Sequence, residues 1–108
     1  MKDDKLYLEH IRDCINKIDA YTNVGKIAFV QTDLIQDGVI RNLEIIGEAA
    51  KRLSLEFRRE YPAIPWKQIT GFRDVLIHDY MGVDLDIVWE VIEKDLPTLK
   101  KLIIDVTK

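Results

Sequence analysis

The stretch "TDLIQDGVIRNLEIIGEAAKRL", Thr32 to Leu53, decides the fold. Val39, Leu43, Ile46, Ala50 and Leu53 recur at steps of three and four residues, so they fall on one side of an α-helix. Strand-like alternation is absent from it. Thr32 or Asp33 can cap its start, because a short oxygen-bearing side chain there accepts from the first free N–H groups. Gly47, Ala49 and Ala50 are small and let a neighbouring helix approach closely.

The same period extends outward in both directions. Leu8, Ile11, Ile15 and Ile18 form one side of a first helix from about Asp3 to Ala20, with Tyr7 and Cys14 at its edge. Thr22 to Gly25 breaks it. After Leu53, "SLEFRREYP" adds a short helical tail, and Pro62 and Pro65 stop the chain from continuing. A third helix is predicted from Pro65 or Trp66 to just before Gly82, proline being suited to a first turn. Asp84 caps a fourth, whose broad face holds Leu85, Val88, Trp89, Ile92, Leu96, Leu99, Ile103 and Val106. Pro97 inside this pattern predicts a kink or a re-started turn. Short connections favour antiparallel neighbours, so residues 1–108 read as a single all-α domain, an up-down bundle of four to five helices.

Composition narrows the function classes. Hydrophobic residues make up 47% and charged residues 32%, as in a globular domain. A net charge of −3 gives no overall attraction to nucleic acid, so any RNA contact needs a local basic patch or a groove built by two chains. Lys51, Arg52, Arg58, Arg59 and Lys67 are candidates for such tracking, although a solvated charged surface is the better explanation for most of them. The lone Cys14 forms no internal disulfide, and His10, His78 and Cys14 have no zinc-like spacing. The polar, acidic start "MKDDKLYLEH" is unlike a secretory signal, and no apolar run approaches a membrane span, so a cytoplasmic location is expected.

One segment departs from the helical pattern. In "GFRDVLIHDYMG", Gly71 to Gly82, a helical wheel places Trp66, Ile69, Leu76, Ile77 and Tyr80 in one apolar arc with Arg73 near its middle. Tyr80 lies above Arg73 with an offset of about 20°. His78 points roughly 140° away from Arg73 on a straight helix. Either the helix unwinds near His78, or two copies of the helix face each other across a dimer axis and share the site. A snorkelling arginine paired with Glu44 or Glu48 also satisfies the spacing. From the residues alone, this segment is a candidate polar site and no more.

"RDVLIHDY" resembles the R-x4-H-x-Y signature of HepT-like proteins of the HEPN superfamily. The likeness extends over "RNLEIIGEAAKRLS", over "IPWKQITGFRDVLIHDYMGVDLDIVWEVI" and over the closing "LPTLK". It implies an all-α bundle that dimerises, with the motif lining a cleft between protomers. It implies a metal-independent endoribonuclease, with no cofactor for catalysis, acting as the toxin of a toxin–antitoxin pair. The implied partner is a minimal nucleotidyltransferase that uses ATP to place AMP on the motif tyrosine. By this resemblance Arg73 and His78 are the catalytic pair, Asp74 is the supporting polar position after the arginine, and Tyr80 is the modified residue. The competing expectation is a non-catalytic helical partner or nucleotide-binding module for such a nucleotidyltransferase, with Arg73 holding a phosphate.

Overall fold

The computed structural model describes residues 2–72 and 84–107. Among them every regular element is helical: α1 (Lys2–Thr22), α2 (Lys26–Gln31), α3 (Asp33–Arg52), α4 (Leu55–Glu60), α5 (Trp66–Thr70), α6 (Leu85–Glu90), a π-helical turn (Val91–Asp95) and α7 (Leu96–Val106). The all-α architecture is the one the apolar period predicts. No helix among the described residues is long and apolar enough to cross a membrane.

The two long helices α1 and α3 form the frame. Leu8, Ile11, Ile15 and Ile18 of α1 and Val39, Leu43, Ile46 and Ala50 of α3 are all buried. The pair is antiparallel. Asp4, near the start of α1, meets Ser54, just past the end of α3. Tyr21, near the end of α1, lies against Gly38 early in α3, where a Cβ would come within 3.0 Å of the tyrosine ring. On the remaining side α7 buries Leu96, Leu99 and Ile103, and Lys100 pairs with Asp19 of α1.

Helix α2 is an addition to the sequence reading. Six residues cannot sustain a helix in water by propensity alone. Gly25 opens it with φ 94°, a left-handed conformation open to glycine without strain. Phe29 is fully buried, with its ring centroid 5.3 Å from that of Trp89 on α6. Burying such a ring contributes about 2–3 kcal/mol, enough to hold a short helix in place. At the far end the Gln36 side-chain amide donates to the carbonyls of Phe29 and Val30 at 3.0 and 2.9 Å. Thr32 occupies the N-cap position of α3, but its side chain makes no capping hydrogen bond, so the expected cap is one of position only. Ser54 does cap α4, its Oγ accepting from Phe57 N at 3.0 Å.

One expectation for the second half changes and another takes a specific form. The third helix is not one uninterrupted α-helix from Pro65 to Gly82, because α5 ends at Thr70 and Gly71 forms a turn whose N–H donates back to Lys67 O. The predicted end of that helix, before Gly82, lies outside the described residues. The expected distortion at Pro97 is present: an α-helix re-starts at Leu96 with Pro97 in its first turn. Ahead of it the chain widens into the π turn, in which Leu96 N–H donates to Val91 O, five residues back. Pro97 has no N–H, and its ring would clash with the carbonyl of Glu93 in a regular α-turn, so a wider turn ahead of it relieves the conflict.

Candidate functional site

Arg73, Asp74, His78 and Tyr80 lie outside the described residues. The structure describes the chain on either side of them. Phe72, bonded to Arg73, is buried in the core together with Ile69, which is fully enclosed. Asp84 closes the other end, its carboxylate accepting from Asp86 N and Ile87 N at 2.9 and 3.4 Å and so capping α6. The motif segment is thus attached at one end to a core aromatic and at the other to a capped helix start.

A groove of about 500 Å³ opens beside Phe72. Leu43 of α3, Phe72, and Ile87, Val88 and Val91 of the α6 side give it mostly apolar walls. Lys67 and Gln68 of α5 line one side, with Gly71, and Asp95 lines the other. The π turn begins at Val91 and ends at Asp95, so both of its ends face this groove. The Asp95 carboxyl is pushed above the usual carboxylate range, first by burial and then by the neighbouring Glu90 charge, with Lys94 acting in the opposite sense.

The two α3 carboxylates named as partners for Arg73 are half-buried. Glu44 pairs with Arg41, one turn earlier, at 3.7 Å. Of the basic residues proposed to track RNA, Lys51 and Arg52 lie in the last turn of α3, and Arg58 and Arg59 in the last turn of α4. Positive charge there complements the helix dipole, and Lys51, Arg52 and Arg59 are exposed, which supports the solvated-surface reading of those three. Arg58 is half-buried, and its Nε has no hydrogen-bond partner among the described residues. Lys67 differs from them by facing the groove.

The other chemically notable side chains are structural. Burial pushes the Cys14 thiol up, against the pull of Lys17, so it is a core residue rather than a nucleophile. His10 is exposed and stands edge-on to Tyr7, ring centroids 6.4 Å apart. Among the described residues no group of three or more His, Cys, Asp or Glu side chains is placed to hold a metal ion. Gln68 and Asp95 were not singled out by sequence reasoning. Each sits in an ordinary helical pattern, and only the approach of α5 to the α6 side brings them to one groove.

Fold and motif place the chain in the class of small all-α domains whose sequence carries an Arg-x4-His run. A sequence profile of the family described as "Ribonuclease HepT-like" matches residues 11–106. The chain is 48% identical over 106 residues to the "Gamma-glutamylcyclotransferase and putative RNase" of Methanocaldococcus jannaschii, covering 97% of this chain and 48% of that protein. It therefore spans about half the length of that relative. It is 44% identical over 102 residues to a "Putative RNase" of Caldanaerobacter subterraneus subsp. tengcongensis, covering 94% of this chain and 91% of the relative. It is 42% identical over 97 residues to the "Probable ribonuclease HepT" of Thermococcus cleftensis, covering 89% and 88%. No solved structure matches. The chain belongs to the HepT-like ribonuclease family, and by family it is a ribonuclease.

Proposed function

We propose that the protein is a metal-independent endoribonuclease, the toxin of a toxin–antitoxin pair, working as a homodimer in the cytoplasm. The observation that carries this reading is a family match over residues 11–106 in a chain whose Arg73, His78 and Tyr80 all stand at their motif positions.

The chemistry needs only side chains and the substrate. A ribose 2′-hydroxyl loses its proton to a base, and its oxygen attacks the adjacent phosphorus. The P–O5′ bond breaks, and the departing 5′-oxygen takes a proton from an acid. The products are a 2′,3′-cyclic phosphate and a 5′-hydroxyl. His78, of a residue type titrating near neutral pH, moves the protons. In a dimer, one copy of His78 serves as base and the other as acid. Arg73 stays protonated and offers a planar fork of donors to the phosphate as its charge builds in the transition state. Asp74 supports the motif beside Arg73.

Tyr80 is the control point. A nucleotidyltransferase partner directs the Tyr80 hydroxyl onto the α-phosphorus of ATP. The phenolic proton is lost, pyrophosphate leaves, and AMP remains on the ring. The added phosphate occupies Arg73, and the nucleotide blocks the strand.

The deciding experiment incubates purified, metal-free protein with end-labelled RNA. Fragments ending in 2′,3′-cyclic phosphate are expected. Intact RNA in the presence of a verified dimer sinks the nuclease reading and leaves a binding module for the nucleotidyltransferase.

A further inference from the structure

The groove between α5 and the α6 side has one wall continuous in sequence with the motif, because Phe72 is bonded to Arg73. Its volume, about 500 Å³, is that of a small-molecule site rather than a packing defect. Among the described residues the mostly apolar walls carry three polar side chains, Lys67, Gln68 and Asp95. Among the described residues none of the three makes a side-chain hydrogen bond or ion pair. A few convergent polar groups in an apolar cleft are the usual composition of a site that fixes one ligand in one orientation.

The charges state what that ligand is. A carboxylate at the wall repels a phosphate and asks for N–H donors. Apolar walls ask for a flat, uncharged ring. Lys67 is exposed and suits an anion at the rim. We infer that this groove is a base subsite for the RNA strand, favouring guanine: Asp95 accepts from ring N1–H and the exocyclic amine, Gln68 donates to O6, and Lys67 meets the phosphate of the same nucleotide. Guanine alone among the four bases presents two adjacent donors beside an acceptor on one edge. Adenine and cytosine present a ring acceptor to the carboxylate, and uracil has one donor between two acceptors. Burial, and after it the Glu90 charge, raises the Asp95 pKa, a cost expected of a group retained for binding rather than for stability. A π turn ending at the same residue fits, since such turns recur at functional sites.

The subsite rests on the ribonuclease reading for its biological use but not for its test. Isotope-labelled full-length protein is titrated with each of the four nucleoside 5′-monophosphates. GMP is expected to shift the amides of Gln68, Gly71 and Val91 and to bind about tenfold more tightly than the other three, in line with one good bidentate base contact. In Asp95→Asn, an isosteric change, that preference is expected to disappear. On RNA, cleavage beside guanine should fall toward the level at other bases in the same variant. Equal binding of all four nucleotides, or GMP shifts that avoid the groove, overturns the proposal. Loss of the groove amides with rising protein concentration and no response to GMP also overturns it, because a second copy then fills the cleft. If GMP binds as expected and no RNA is ever cut, the base subsite stands and the nuclease reading falls.

Discussion

The carboxylate of Asp4 holds Ser54, fifty residues further along, by two hydrogen bonds: Ser54 N donates to Oδ1 at 2.8 Å and Ser54 Oγ donates to Oδ2 at 2.7 Å. Asp4 is only 6% exposed. The same Ser54 Oγ accepts from Phe57 N, so one carboxylate orients the residue that starts α4. This contact joins the beginning of α1 to the turn between α3 and α4 and fixes how the chain leaves its longest helix pair.

Asp4→Ala is therefore expected to destabilise the fold by about 2–3 kcal/mol, the range for hydrogen bonds to a charged group whose partners stay buried. Ser54→Ala should cost about 1–2 kcal/mol through loss of the cap. Urea denaturation of the two single variants and the double variant measures the coupling. A double variant equal to the sum of the singles would show that the two residues act independently.

Asp95 contributes to stability with the opposite sign from a salt-bridged carboxylate. Its folded pKa is raised by burial and by Glu90, so the folded state binds a proton at Asp95 more readily than the unfolded chain does. The charged group costs stability above that raised pKa, and the cost is relieved as pH falls through it. Asp95→Asn is expected to raise the Tm at pH 7, with the gain shrinking as pH falls from the raised Asp95 pKa to the ordinary carboxylate value. Thermal melts of both proteins from pH 3 to pH 8 check this; a gain that grows toward acid would contradict it.

Arg73→Ala and His78→Ala should each leave a folded protein with RNA cleavage reduced by about 10²–10⁴-fold, the range for general acid–base groups and for donors to a developing oxyanion. Circular dichroism and a gel-based cleavage assay on the same preparations separate fold from chemistry. Collapse of the helical signal in Arg73→Ala would instead favour a structural ion pair with an α3 carboxylate.

Tyr80→Phe should cleave RNA and escape silencing. Co-incubation with the nucleotidyltransferase and ATP is expected to add the mass of AMP to the wild-type chain and none to the variant. Inhibition of the variant to the wild-type extent would remove Tyr80 from the control step.

The apolar period of α1 and α3 was legible because it extends over five or more turns, and a long stripe must bury itself somewhere. Helix α2 was not, because its six residues carry no decisive period and are held by Phe29 against Trp89, an element far along the chain. Pro97 announced a distortion, and the form it took is a π turn that lies between the buried Val88 and Leu96. The motif set Arg73, Asp74, His78 and Tyr80 was found by residue type and spacing. Gln68 and Asp95 carry no such signature.

The sequence by itself determined an all-helical chain, its main apolar stripes and the family to which its Arg-x4-His-x-Tyr run belongs, because periodicity and covalent spacing are local properties. Only the tertiary structure decided that α5 stops at Gly71, that Asp4 reaches Ser54, and that Lys67, Gln68 and Asp95 line one cleft. These depend on contacts between residues tens of positions apart, whose geometry is set by how the helices pack and not by any short stretch of chain.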